Sequence, residues 1–377
     1  MNNIRLLIFS DLLPSKQNTT AGTFVINRIR ALKNNNIDVL PVKLSNVLYS
    51  HRIINDYSLN FYSQPINFKT INYMKFRYKG NFETAADRLY KLYRKFDRNL
   101  LHIHFGFPEG YIGYILKMKY NIPYVLTVHG SDIHTIPFKN VHYREMVLYG
   151  LNHAEHVIFV SNALLETARG FGFANSKFSI IPGGVNLEDF IVRKKPIKKY
   201  KVITFIGHLE KIKGADLLPL IFHKINKHDG NVKFKIIGDG KLKKIVVSRL
   251  KELNIYDKTE IKGVLPHKMI PKELNESDLL ILPSRNEGFP SIILESLASG
   301  TPVVASSVGG IPKIVKDGIN GIPVEKGNSF VDRFSKSIVK ALVKEWNGKN
   351  IRNSVLIYDW KNVIGREIKI YEGILRK

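Results

Sequence analysis

The chain has 377 residues, long for one domain and comfortable for two of roughly 150–200 residues each. It contains no cysteine, which excludes disulfides and thiolate metal sites and suits a reducing cytosol. Fifty-eight Lys and Arg against 32 Asp and Glu give a formal net charge of +26. Such an excess favours an anionic partner (nucleic acid, anionic lipid or a phosphorylated ligand), with plain composition bias as the other reading.

The first apolar run, "IRLLIFS", reads as a buried strand rather than a signal peptide, because no long apolar region or small-residue cleavage site accompanies it. No stretch approaches the roughly 20 apolar residues that a membrane span needs. After the helix-like "AGTFVINRIRALKNN" come the strands "DVLPVKL", "LLHIHFG", "PYVLTVHG", "HVIFVSN" and "FSIIPGG", with the helical "PEGYIGYILKMKYN" among them. A second series starts afresh with "KVITFIGHL" and continues through "VKFKIIGDG", "DLLILPS", "PVVASSVGG" and "GIPVE". Alternation of strand and helix predicts parallel sheets covered on both faces, hence an α/β chain of two doubly wound, Rossmann-like domains facing a central cleft. The expected boundaries are residues 1–188 for the first domain, 189–200 for a polar, basic linker, and 201–357 for the second domain. Residues 358–377 form a closing helix, with Trp360, Val363, Ile364, Ile368, Tyr371 and Leu375 at helical spacing.

Ligands of such sheets sit at the carboxyl ends of strands. Glu287 lies three residues past the strand "DLLILPS", and Pro290 suits a first helical position before "SIILESLAS", which ends at Gly300. The loop thus carries unpaired backbone N–H groups and the positive end of a helix dipole, a ready anion site. Glu295, a turn inside, could reach sugar hydroxyls, or could simply complement the dipole. Past "KVITFI", Gly207 permits close backbone approach, and Lys213 could neutralise a diphosphate or stand solvated in a loop. His129 ends the strand "PYVLTV", and Asp132 beside it could cap the next turn. His102 and His104 share a strand face, but without a third ligand at recognisable spacing no metal site is expected. The sequence has no G-x-G-x-x-G, Walker-type or H-E-x-x-H motif and no pair of aspartates two apart. No zinc-finger or RNA-recognition signature accompanies the charge.

Together, "EGFPSIILESLASGTPVVASSVGGIPKIV", "IIPGGVNLEDF", "FIGHLEKIKGADLL", "KFKIIGDG", "VHGSDIH" and "DWKNVIGREIKIYEGIL" resemble glycosyltransferase family 4, retaining enzymes of the GT-B fold. The likeness covers nearly the whole chain and is strongest from Ile180 onward. It implies that Glu287 contacts the donor sugar and Glu295 the ribose, and that Gly288, Phe289, Pro290 and Ser291 with Lys213 receive the diphosphate. By the same resemblance Gly22 in "NTTAGTF" approaches that diphosphate, Leu265 borders the base, and His129 lies near the reacting sugar. Two positions depart from the family pattern. His208 follows Gly207 where arginine is common, so the diphosphate would lean more on Lys213, and Ala21-Gly22 stands where two glycines are usual.

The implied reaction transfers a sugar from a nucleotide-diphosphate donor, UDP-sugar first and GDP-mannose second, to a hydroxyl of a glycan or polyprenyl-phosphate-linked acceptor. The setting would be bacterial surface polysaccharide or glycolipid synthesis. Configuration would be retained, and neither metal nor other cofactor is expected. Tyr73–Leu100 carries eight basic and three acidic residues interleaved with seven Tyr or Phe, which suggests docking on an anionic membrane surface or, equally, a solvated helix face with its aromatics in the core. The expected location is cytoplasmic, peripheral at the inner face of the membrane. Other readings are a GT-B sugar-phosphate synthase or phosphorylase, and a catalytically silent nucleic-acid-binding relative. Retention of both glutamates and Lys213 argues against nucleic acid.

Overall fold

The computed structural model describes residues 4–14, 22–46, 54–61, 64–73, 82–194 and 198–376. They form two compact units, Met1–Gly183 with Trp360–Lys377, and Gly184–Asp359.

The first unit holds one sheet of eight strands: β1 (Arg5–Ser10), β2 (Asp38–Asn46), β3 (Ile54–Phe61), β4 (Gln64–Tyr73), β5 (Leu100–His104), β6 (Tyr124–Val128), β7 (His156–Phe159) and β8 (Phe178–Ile180). Their order is β3-β4-β2-β1-β5-β6-β7-β8, parallel except for the β3–β4 hairpin. The central strands β5 and β6 are buried along their whole length, as strands covered on both faces must be. Chain order reverses between β1 and β5, which makes their carboxyl ends a switch point. His102 is level with Ile8 of β1, and His104 with Thr127 of β6, so the two-residue period puts both imidazoles on one face. The closing helix, Trp360–Leu375, buries Trp360, Val363, Ile364 and Tyr371 in the same core as Leu6, Ile8, Ile26 and Ile29.

The second unit is an all-parallel sheet of β9 (Lys201–Ile206), β10 (Val232–Ile237), β11 (Thr259–Gly263), β12 (Leu279–Leu282), β13 (Val303–Ser306) and β14 (Gly321–Val324), in the order β11-β10-β9-β12-β13-β14. Its switch point lies between β9 and β12.

Two sequence expectations need correction. The first unit ends at Gly183 rather than at 188, because Val185, Leu187 and Phe190 are buried in the second unit's core. The segment read as a linker therefore begins inside that unit. The β3–β4 hairpin was not anticipated, since polar residues recur along it and no long apolar run marks it.

Candidate functional site

The switch point of the second unit brings two loops together. The chain leaves β9 through Gly207 and His208 and makes a 3₁₀ turn at Lys211–Lys213. Gly214 follows with φ 70°, and a Cβ there would stand 2.0 Å from the Pro283 carbonyl oxygen. The second loop runs from Ser284, past β12, to Pro290. Arg285 clamps the two: its guanidinium forks onto both carboxylate oxygens of Asp216 at 2.6 and 2.7 Å, and its backbone N–H donates to the Ile212 carbonyl at 2.7 Å.

The clamp sets Lys213 against Glu287. The Lys213 ammonium donates to both Glu287 oxygens at 2.8 Å, and the Ser284 hydroxyl donates to Oε1 at 2.7 Å. The lysine side chain is 29% exposed and the glutamate 5%. The carboxylate is thus enclosed, while an ammonium with three hydrogens retains one for an outside acceptor. Gly309 makes room from below. At φ 56° its Cβ would fall 1.7 Å from the Glu287 carbonyl oxygen, and the Gly310 N–H donates to the Gly288 carbonyl at 3.0 Å.

The helix Ser291–Ala298 begins directly after this loop. Pro290 stands at the N-cap rather than at the first helical position, one residue earlier than expected, where its missing N–H is still no loss. The helix ends as expected at Gly300, with φ 74°. The Gly300 N–H bonds Leu297 and the Thr301 N–H bonds Ser296, a Schellman closure. First-turn N–H groups have no partner within the helix, so Ser291 and Ile292 present donors beside Lys213 and Glu287.

Glu295 is buried within the helix, and its Oε1 lies 2.9 Å from His267 Nε2. His267 was missed in the sequence, although it stands two residues past Leu265, the position assigned to the base. Leu265 itself is half-buried and packs on the second unit's core. Phe289 is half-buried against Tyr358, with ring centroids 5.4 Å apart. Gly207 is fixed by its N–H to the Ile237 carbonyl at 3.0 Å, and His208 is exposed. The structure therefore gathers Lys213, Glu287, Gly288 and Ser291 at one loop pair, with Glu295 a turn deeper.

Gly22 and His129 belong to the first unit. Gly22 caps the first helix, Thr23–Asn34, at φ 63°, and any Cβ there would fall 1.4 Å from the Leu12 carbonyl oxygen. Ala21 lies outside the described residues. His129, half-buried just past β6, packs against the rings of Phe24 and Phe105, with centroids 4.6 and 4.8 Å away. Asp132 does more than cap a turn. Its carboxylate accepts the backbone N–H groups of Gly106, His129 and Gly130 at 2.7–3.3 Å, stapling the loops that follow β5 and β6. Burial pushes its pKa up to about 6 against the pull of those N–H groups.

Of the basic segment, residues 74–81 lie outside the described residues. In the helix Phe82–Lys95, Phe82, Leu89, Leu92 and Tyr93 are buried, and Tyr90 stacks on Tyr120 at 3.8 Å. Its exposed face carries Lys91, Arg94 and Lys95. No helix among the described residues is long and apolar enough to cross a membrane.

The "Glycosyltransferase Family 4" model matches residues 21–189, and the "Glycosyl transferases group 1" model matches residues 188–354. An uncharacterized glycosyltransferase of Methanocaldococcus jannaschii is 30% identical over 283 residues, 73% of this chain and 76% of that one. Among solved structures, sucrose-phosphate synthase of Thermosynechococcus elongatus superposes with a TM-score of 0.80 at 18% identity, covering 99% of each chain. The pneumococcal O-GlcNAc transferase, solved with UDP and GlcNAc, has a TM-score of 0.75 at 12% identity over the full length of both. The chain belongs to the family 4 glycosyltransferases and has their GT-B fold.

Proposed function

We propose that this enzyme is a retaining transferase that moves a sugar from a nucleoside diphosphate to a hydroxyl of a glycan or lipid-linked acceptor. One observation carries the reading: a partly exposed ammonium, an enclosed carboxylate and a helix N-terminus meet at the switch point of the second unit. An ammonium and first-turn N–H groups suit a diphosphate, whereas a carboxylate in the same place suits only a neutral, hydroxyl-bearing group. A nucleotide sugar supplies both. The UDP complex of the pneumococcal enzyme supports UDP as the first choice of donor, with GDP-mannose second.

As the glycosidic bond to the diphosphate breaks, negative charge grows on the phosphate oxygens and positive character on the sugar. Lys213 and the N–H groups of Gly288, Phe289 and Ser291 stabilise the leaving group without a metal. Glu287 has lone pairs left beyond those used by Lys213 and Ser284, and these hold a donor-sugar hydroxyl. Glu295 holds the ribose, Leu265 borders the base, and Gly207 with His208 flanks the phosphates. On the family resemblance alone, Gly22 is assigned to the diphosphate and His129 to the reacting sugar. No proton passes through Glu287 or Glu295.

The acceptor belongs to bacterial surface polysaccharide or glycolipid assembly, a polyprenyl-phosphate-linked glycan being the favoured form. The enzyme works at the inner face of the membrane, held through charge by Lys91, Arg94 and Lys95 rather than by inserted aromatics. Flotation with anionic vesicles at low salt tests this; failure to float removes the membrane part.

A thermal-shift screen of UDP, GDP and their sugars tests the donor, because a ligand at 100 times its Kd adds about 2.7 kcal/mol to apparent stability. A shift with UDP-sugars and turnover that survives EDTA support the reading. RNA binding with steep salt dependence and no nucleotide shift would overturn it.

A further inference from the structure

Beneath the sheet of the first unit runs a sealed chain of polar groups that the reaction as described leaves unused. Arg28, on the first helix, is 1% exposed and is the largest fully buried side chain among the described residues. Its Nε donates to Glu367 Oε1 of the closing helix at 3.0 Å, and its Nη1 donates to His104 Nδ1 at 3.1 Å. His104 Nδ1 is also 2.9 Å from His129 Nε2. On the other side, the Tyr371 hydroxyl bonds Glu367 Oε2 at 3.1 Å and His102 Nδ1 at 2.7 Å, and His102 Nε2 meets the Thr127 hydroxyl at 2.7 Å.

A guanidinium can only donate. His104 Nδ1 must therefore be the bare, accepting nitrogen, which places the His104 proton on Nε2, a buried atom with no partner among the described residues. Arg28 and His129 then share the single lone pair of that nitrogen, so His129 completes its bond by donating from Nε2. A neutral imidazole carries one N–H, so His129 Nδ1 is left as an acceptor. We infer that Arg28, held by Glu367, is a positioning residue that fixes the tautomer of His129, so that the ring offers its outer nitrogen as a hydrogen-bond acceptor.

This rests on the reading that His129 acts at the reacting sugar, and it specifies what the ring can do there. It can receive a sugar hydroxyl, and it cannot donate a hydrogen bond from Nδ1 to the departing phosphate. The rings of Phe24 and Phe105 pack against it. The charged or titratable groups facing it are Arg28 from the first helix, His104 from β5, and Asp132, whose carboxylate takes the His129 backbone N–H. Burial and the Arg28 charge hold His129 well below the ordinary imidazole range, which keeps it neutral.

The test is histidine-selective ¹⁵N NMR of the full chain, with His129 assigned by substitution. The expected wild-type spectrum shows a protonated Nε2 and a bare Nδ1 that do not titrate as pH falls through about 6.5. In Arg28→Leu the tautomers of His104 and His129 redistribute and His129 begins to titrate. If that variant does not fold, Glu367→Gln, which keeps shape while removing the counter-charge, should show the same change in part. A wild-type His129 protonated on Nδ1, or an unchanged His129 in both folded variants, would overturn the inference. Unchanged turnover in His129→Ala would instead remove the ring's role at the sugar, with the tautomer assignment left standing.

Discussion

Two cation–carboxylate pairs, one in each unit, lie beside a candidate site residue or form part of the site, and they are built to opposite specifications. Lys213–Glu287 leaves the cation 29% exposed on a loop, whereas Arg28–Glu367 leaves 1% and 0% exposed between two helices. An ammonium at a loop surface can share itself with an incoming phosphate. A sealed guanidinium can act only on what already touches it. The first pair is therefore suited to meet substrate, and the second to hold other side chains in register.

Substitutions can break or sharpen this contrast. The largest effect is expected from Arg28→Leu, which buries Glu367 without its counter-charge and should cost about 3–5 kcal/mol in urea unfolding. If Lys213→Met lost as much, the two pairs would not differ in kind. Glu287→Ala should lower turnover roughly 100-fold, about 2.7 kcal/mol, with nucleotide affinity changed far less. Steady-state kinetics and calorimetry separate the two, and a purely structural role would show in unfolding instead. Glu295→Ala should weaken nucleotide binding about tenfold while turnover at saturation is kept; equal loss in both would move Glu295 from binding to chemistry. The smallest effect is expected at His208→Arg. A permanent cation beside Gly207 should tighten diphosphate binding only a few-fold, because the side chain is exposed and salt screens it.

The sequence carried the fold well where strands are buried on both faces, since β5, β6, β9 and β12 are short runs dominated by apolar residues, with turns behind them. It failed at β3–β4, where polar residues recur and no long apolar run marks the strands. Glu287, Lys213, Gly288 and Ser291 were legible because each sits just past a strand or just before a helix, and strand order then decides which loops meet. His267 and Arg285 were not, because their role depends on which side chain lies opposite, and that is a matter of tertiary packing. The pairing of His102 and His104 on one face was legible. Tyr371, the partner of His102 on the closing helix, and Arg28, the partner of His104 on the first helix, are far away in sequence and could not be inferred from local spacing.

Arg28 and Glu367 are separated by 339 positions. All of Gly184–Asp359, a continuous stretch that forms the second unit, lies between them. During synthesis, every residue of the second unit is made before the carboxylate that neutralises Arg28 exists. Until then the first unit holds a guanidinium with no counter-charge and a His102 with no Tyr371. A chain broken off before Trp360 would keep every residue of the donor loops yet leave that cation stranded. Protease sensitivity confined to the first unit would mark such a product, and a peptide spanning 360–377, supplied in trans, should restore its protection.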